Sequence, residues 1–212
     1  MKIMLVLSIL AMSIMNGVAQ ENVEKIIKDV QKKYQNIQLV HADFKQVNRF
    51  KLTSIQSEIH GTIWISQNDQ FRLETEDQTI VSDGKNFWRF NKLENQVLID
   101  HAKKSQQDIF LNNFLFKINE VYYSQIAGEQ QIDGKKIYEI KLTPRKPEDS
   151  FFSYIKVWLY EKSWEIIKVL YMDFNENEVE YLIEKMELNP KVGSGIFNFE
   201  IPEGTEAIDL RF

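Results

Sequence analysis

At 212 residues the chain is long enough for one domain with a sizeable core, and its 43% hydrophobic and 27% charged content is ordinary for a globular protein. A net charge of −5 with no dense Lys/Arg block makes nucleic acid a poor partner class. With no cysteine, disulfides, zinc–thiolate sites, thiol nucleophiles and acylation of the chain itself are excluded.

Residues 1–19 read as a cleaved export signal. Lys2 supplies the positive start, Ile3–Met15 an apolar run too short to span a bilayer, and Gly17-Val18-Ala19 the small residues of a cleavage site. Residues 20–212 are then a single domain, expected free in solution in an exported compartment. Next, Glu21–Gln38 predicts a helix, because Val23, Ile26, Ile27, Val30 and Tyr34 fall on one stripe with Lys25, Lys28, Asp29, Lys32 and Lys33 opposite. LVHADFKQVNRF then alternates as a strand with Val40, Ala42 and Phe44 on one face, and KLTSIQ reads as a loop.

From Glu58 to Asn91 the sequence predicts three or four short strands: HGTIWIS, QFRLET, QTIVSD and KNFWRFN. Asp83-Gly84 marks a hairpin, since Gly supplies positive φ at no steric cost. Both faces of these strands are apolar: Ile63 and Ile65 oppose Trp64, and Phe87 opposes Trp88. A sheet that is apolar on both sides must be covered on both. KLEN then turns into the strand QVLI. His101–Lys117 changes period and crowds Ile109, Phe110 and Phe114 onto what reads as a helical face over an apolar surface.

Strands resume at Glu120, with a second Asp-Gly turn at Asp133-Gly134, a loop over Thr143–Ser150, and a meander of FFSYIKVWLYEK, WEIIKVLYMDF and EVEYLIEKMEL. IFNFEIP is expected as the last strand, followed by the tail EGTEAIDLRF. About ten strands and two helices, without strand–helix–strand alternation, predict an antiparallel α+β domain.

The catalytic inventory is thin. His41, His60 and His101 are scattered without metal-ligand spacing, and there is no nucleophile elbow or phosphate-cradling loop. No catalytic group, metal or cofactor is therefore expected. What remains is an apolar ligand site: Trp64, Trp88, Trp158 and Trp164 lie on or beside predicted strands, and an incompletely filled half-barrel would hold a lipid-sized pocket.

Five segments, in order, resemble the periplasmic outer-membrane lipoprotein carrier family (LolA-type): Ala42-Asp43-Phe44-Lys45-Gln46, Gly61 to Trp64, Phe71-Arg72-Leu73, Val81-Ser82-Asp83-Gly84 to Trp88, and Phe197 to Gly204 with Ile208-Asp209. The resemblance implies an unclosed antiparallel β-barrel of about 10–11 strands whose concave side is covered by helices acting as a lid. It implies a monomeric periplasmic chaperone that takes acylated lipoproteins from an inner-membrane ABC-type releasing transporter to an outer-membrane lipoprotein acceptor. The residues expected to line the acyl-chain cavity and lid are Phe44, Ile63, Trp64, Ile65, Phe71, Leu73, Phe87, Trp88, Ile109, Phe110 and Phe114. The family's Arg-Pro strand break, whose Arg latches the lid, is Gln67-Asn68 here, so Gln67, or Arg72 nearby, is the candidate latch. Two other readings fit the same features: an exported lipid- or peptide-binding regulator on the same half-barrel, and a lipid-modifying hydrolase.

Overall fold

The structure, a computed structural model, describes residues 22–102, 118, 120–193 and 195–211. Helix α1 covers residues 22–34, four residues shorter at its end than the apolar stripe predicted. It stops after Tyr34, the last stripe residue, because Ile37 N–H turns back onto the Tyr34 carbonyl at 3.0 Å. Val23, Ile26, Ile27, Val30 and Tyr34 are all buried. Each buried aliphatic of this kind stabilises by about 1.5–3 kcal/mol, so packing and not propensity holds so short a helix.

Among the described residues twelve strands follow: β1 (Leu39–Arg49), β2 (Gln56–Ser66), β3 (Phe71–Thr75), β4 (Gln78–Ser82), β5 (Asn86–Asn91), β6 (Gln96–His101), β7 (Tyr122–Ile132), β8 (Lys135–Pro144), β9 (Phe152–Tyr160), β10 (Ile166–Asp173), β11 (Glu178–Leu188) and β12 (Glu206–Asp209). They form one sheet in the order β12-β6-β5-β4-β3-β2-β1-β11-β10-β9-β8-β7. The sheet is unclosed, since β12 and β7 stand at opposite ends of that order. Both Asp-Gly turns are where they were expected: Gly84 has φ +88°, and Asp133 and Gly134 take φ +50° and +75° in a two-residue turn between β7 and β8.

Three expectations are corrected. The sheet is not wholly antiparallel, because β12 runs parallel to β6, with Glu206–Asp209 beside Gln96–Ile99. The last strand lies in the tail, while IFNFEIP is turn and irregular chain. Among the described residues there are twelve strands and not ten or eleven: the stretch expected to give three or four gives four, β2–β5, and the tail strand takes the place of IFNFEIP. The predicted helical face with Ile109, Phe110 and Phe114 lies outside the described residues.

The inner face of the sheet, which carries the buried clusters, is apolar along its length. α1 packs there with Ile140, Leu142, Ile155, Val157, Leu159, Val169 and Tyr171 of β8–β10. A second cluster, on β1–β5, unites Ala42, Phe44, Ile63, Ile65, Phe71, Leu73, Ile80 and Phe87, and Tyr181 and Ile183 of β11 pack against both. The register explains the second cluster: Ala42, Ile63, Leu73 and Ile80 are successive cross-strand neighbours. Gly61 faces Phe44 across the strands. A Cβ there would come within 2.6 Å of both Phe44 Cζ and the Glu74 carbonyl, so the motif glycine exists to seat the Phe44 ring.

Candidate lipid cavity

Of the predicted lining, Phe44, Ile63, Ile65, Phe71, Leu73 and Phe87 do come together, buried in the β1–β5 cluster. Phe71 and Phe87 meet edge to face at 6.3 Å. Trp64 and Trp88 do not join them. Strand alternation turns both to the outer face, where His41, Trp64, Arg72, Val81 and Trp88 form one cross-strand row. Trp64 stacks on His41 at 4.5 Å with 19° between the ring planes.

The outer face of β3–β6 is closed by the chain's own C-terminal arm, residues 195–211. Phe199 packs on Trp88 and Phe90, with ring centroids at 6.3 and 6.0 Å. Outward-facing Val81, Val97 and Ile99 are buried. Arg72 Nη1 donates to the Asn198 carbonyl at 3.3 Å and, more weakly, to that of Ile196 at 3.5 Å. At the end of the arm, Arg211 Nη1 donates to Asn86 Oδ1 at 2.8 Å. The Arg211 guanidinium holds the Asp209 carboxyl down at about 2.

The two candidate latch residues are thereby separated. Arg72 holds the C-terminal arm on the outer face. Gln67, in the β2–β3 turn, donates from Nε2 to the Gln35 carbonyl just past α1 at 2.9 Å, and its N–H donates to the Gln38 carbonyl at 3.3 Å. From the β9–β10 turn, Ser163 O accepts from Lys33 Nζ at 2.6 Å, and Trp164 O accepts from the Tyr34 hydroxyl at 3.3 Å. The C-terminal end of α1 is thus gripped from both sides of the sheet order.

A cleft of about 570 Å3 lies at one end of the inner face, lined by Val121, Tyr122, Pro144, Arg145, Phe151 and Phe152 among others. Its size falls within the range of about 300–1,000 Å3 usual for small-molecule sites. From it a line of rings crosses the inner face to the second cluster: Phe152 to Tyr171 at 4.7 Å, Tyr171 to Tyr181 at 5.6 Å, and Tyr181 to Phe44 at 5.3 Å. The sequence reading missed Phe152, Tyr171 and Tyr181. The signal was present in the alternation of Val169 with Tyr171 and of Val179, Tyr181 and Ile183, but nothing local says that β11 lies beside β1 with β10 next to it.

The line of rings is uncharged. Burial pushes the Tyr122 phenol up to about 12, and burial, with Tyr181 and Tyr122 nearby, raises Tyr171 well above the ordinary value. Among the described residues no group of three or more His, Cys, Asp or Glu side chains is placed to hold a metal. The rings offer apolar area and phenols, which suit hydrocarbon chains, and the cleft at their end also carries Glu120, Arg145, Lys146, Asp149 and Ser150.

A sequence profile for the outer membrane lipoprotein carrier protein LolA matches residues 35–200. An outer-membrane lipoprotein carrier protein from Hahella chejuensis is 24% identical, with 98% of this chain and 98% of its own length covered. An uncharacterized protein from Methanocaldococcus jannaschii is 25% identical over 88% of this chain, which spans about half (54%) of that relative's length. Among solved structures, an uncharacterized conserved protein from Thermus thermophilus shares the fold with a TM-score of 0.58 at 12% identity, over 89% of this chain and 99% of its own.

Proposed function

The chain belongs to the outer membrane lipoprotein carrier protein LolA family, whose members are carriers and not enzymes, and we propose that it works as an exported, periplasmic carrier of lipoproteins. In this proposal the acyl chains of a lipoprotein released from the inner membrane by an ABC-type transporter lie along the inner face. The carrier then hands them to an acceptor at the outer membrane. One observation carries the reading: an uncharged path of rings joins the 570 Å3 cleft to the cluster around Phe71. Each CH2 taken from water is worth about 0.8 kcal/mol, so an acyl chain needs such a surface to cross an aqueous space.

Release has to be as easy as capture. Here α1 is the cover in this proposal and Gln67 its latch. The latch is a neutral hydrogen bond in place of the charged one that the family resemblance implies, and a bond of this kind contributes about 0.5–1.5 kcal/mol. A weak latch suits a cover that must exchange one buried apolar surface for another at low net cost.

The test is a release assay. The processed chain is incubated with ATP and membranes that hold the transporter and a labelled lipoprotein, and label in the soluble fraction is measured. Label appears with the native chain and falls at least tenfold with Phe71→Glu, which places a carboxylate in the cluster. Leu73→Thr, a milder polar change, gives an intermediate loss and guards against misfolding as the cause. Absence of soluble label with the native chain sinks the proposal.

A further inference from the structure

Three neighbouring connections of the sheet differ in residue type from its other turns, including the β3–β4 and β5–β6 turns at their own end, which read Glu76-Asp77 and Lys92-Leu93-Glu94-Asn95. At one end the turns read Gln67-Asn68-Asp69, Asp83-Gly84-Lys85, Asp133-Gly134 and Lys162-Ser163. Such residues are the ordinary chemistry of exposed turns. At the other end, β1 passes to β2 through Phe50–Ile55, β10 to β11 through Phe174–Asn177, and β8 to β9 through Arg145–Phe151. The register places these three connections side by side, since Arg49 pairs with Gln56 and Glu178, and Asp173 with Phe152. Here large apolar side chains stand in water: Leu52 is 96% exposed, Phe151 60%, Ile55 59%, Phe174 58% and Phe50 46%.

We propose that this rim is a bilayer-docking surface, in which Phe50, Leu52, Ile55, Phe151 and Phe174 enter the interfacial zone of a lipid membrane. Their arrangement favours lipid over a protein partner. The apolar groups stand on three separate turns, with the Lys51–Glu176 pair (3.3 Å) and the Lys146–Asp149 pair (4.0 Å) among them. A protein would need a separate pocket for each projecting side chain, whereas lipid yields around every one of them. Two of the three turns are tied to each other: the Lys51 N–H donates to Asn177 Oδ1 at 3.1 Å, and Phe50 N–H closes its own turn on the Ile55 carbonyl at 2.9 Å. Charge is not the attraction, because the rim carries both signs and the chain as a whole is −5. Attachment therefore rests on insertion of apolar area and is weak and reversible, as a shuttling protein requires.

The rim is continuous with the candidate cavity. Phe151 lines the 570 Å3 cleft, and Tyr122 and Pro144 at its floor pair across β7 and β8 at the same end. A chain leaving the outer half of a bilayer would meet the cleft without crossing water.

Flotation of the processed chain with protein-free phosphatidylcholine vesicles tests the proposal. The native chain floats with the vesicles, equally in low and high salt and with or without anionic lipid. The pair Leu52→Ser with Phe174→Ser lowers the partition coefficient at least tenfold, while Ile132→Ser at the opposite end leaves it within twofold. Thermal unfolding of both variants checks that each is folded. A native chain that stays with the soluble fraction, or a double variant that floats like the native chain, overturns the proposal. Attachment only to native membranes, and lost when these are treated with protease, would assign the rim to a protein partner instead. Failure here leaves the carrier proposal standing, because the same double variant is also assayed for binding of a fluorescent fatty acid, which depends on the inner face.

Discussion

Both faces of β2–β5 carry large apolar side chains, yet they are covered in different ways. On the inner face Ile63, Ile65, Phe71, Leu73 and Phe87 form a cluster that continues through Phe44 and Tyr181 towards the cleft. On the outer face Trp88 and Phe90 are capped by Phe199, Trp64 stacks on His41, and Arg72 ties down the arm through backbone carbonyls. Apolar residues on both faces of a strand therefore do not mean two ligand surfaces. One of them is a structural seam within the chain, and the inner one alone is the candidate for exchange with a ligand.

The contrast can be broken most severely at Phe44. Truncation by Phe44→Ala removes a fully buried ring of the second cluster that meets Tyr181, which packs against both, and should cost about 3–5 kcal/mol in urea unfolding while also abolishing fatty-acid probe binding. On the outer face the expected loss is smaller and of another kind. Phe199→Ala should cost about 1 kcal/mol, speed hydrogen exchange in Glu206–Asp209, and leave probe affinity within twofold. A large loss of probe binding in this variant would join the two faces that the comparison separates.

The mildest test uses pH. Tyr122 is held neutral by burial, with its pKa raised to about 12 from an ordinary 10. The folded state keeps the proton longer than the unfolded chain. The stabilisation is therefore complete below pH 10 and disappears as pH rises from 10 to 12. The loss is a few tenths of a kcal/mol at pH 10, and its slope approaches about 1.4 kcal/mol per pH unit above that. Tyr122→Phe should flatten this part of the alkaline unfolding profile, and an unchanged slope would show that the phenol is in contact with water.

Much of the inner face was legible before any coordinates. Alternation along β1–β5 is local, so Phe44, Ile63, Ile65, Phe71, Leu73 and Phe87 could be grouped from sequence, and the register confirmed their common face. The same alternation already set Trp64 and Trp88 on the opposite side, and placing them in the cavity ran against it. Arg72 was a plausible latch by nearness to Gln67 along the chain. Its row on the outer face, and the arrival of the arm from more than 120 residues downstream, decided otherwise.

By itself the amino-acid sequence determined the helix stripe from Val23 to Tyr34, both Asp-Gly turns and the strand faces, because each depends on spacing within a few residues. Only the tertiary structure decided that β11 lies beside β1, that β12 runs parallel to β6, and that the arm and not a ligand covers Trp88. Those pairings join residues about 110 or more apart, and no local preference encodes which distant edge a strand will find. Burial of the whole apolar surface selects among them, and that selection exists only once the chain has folded.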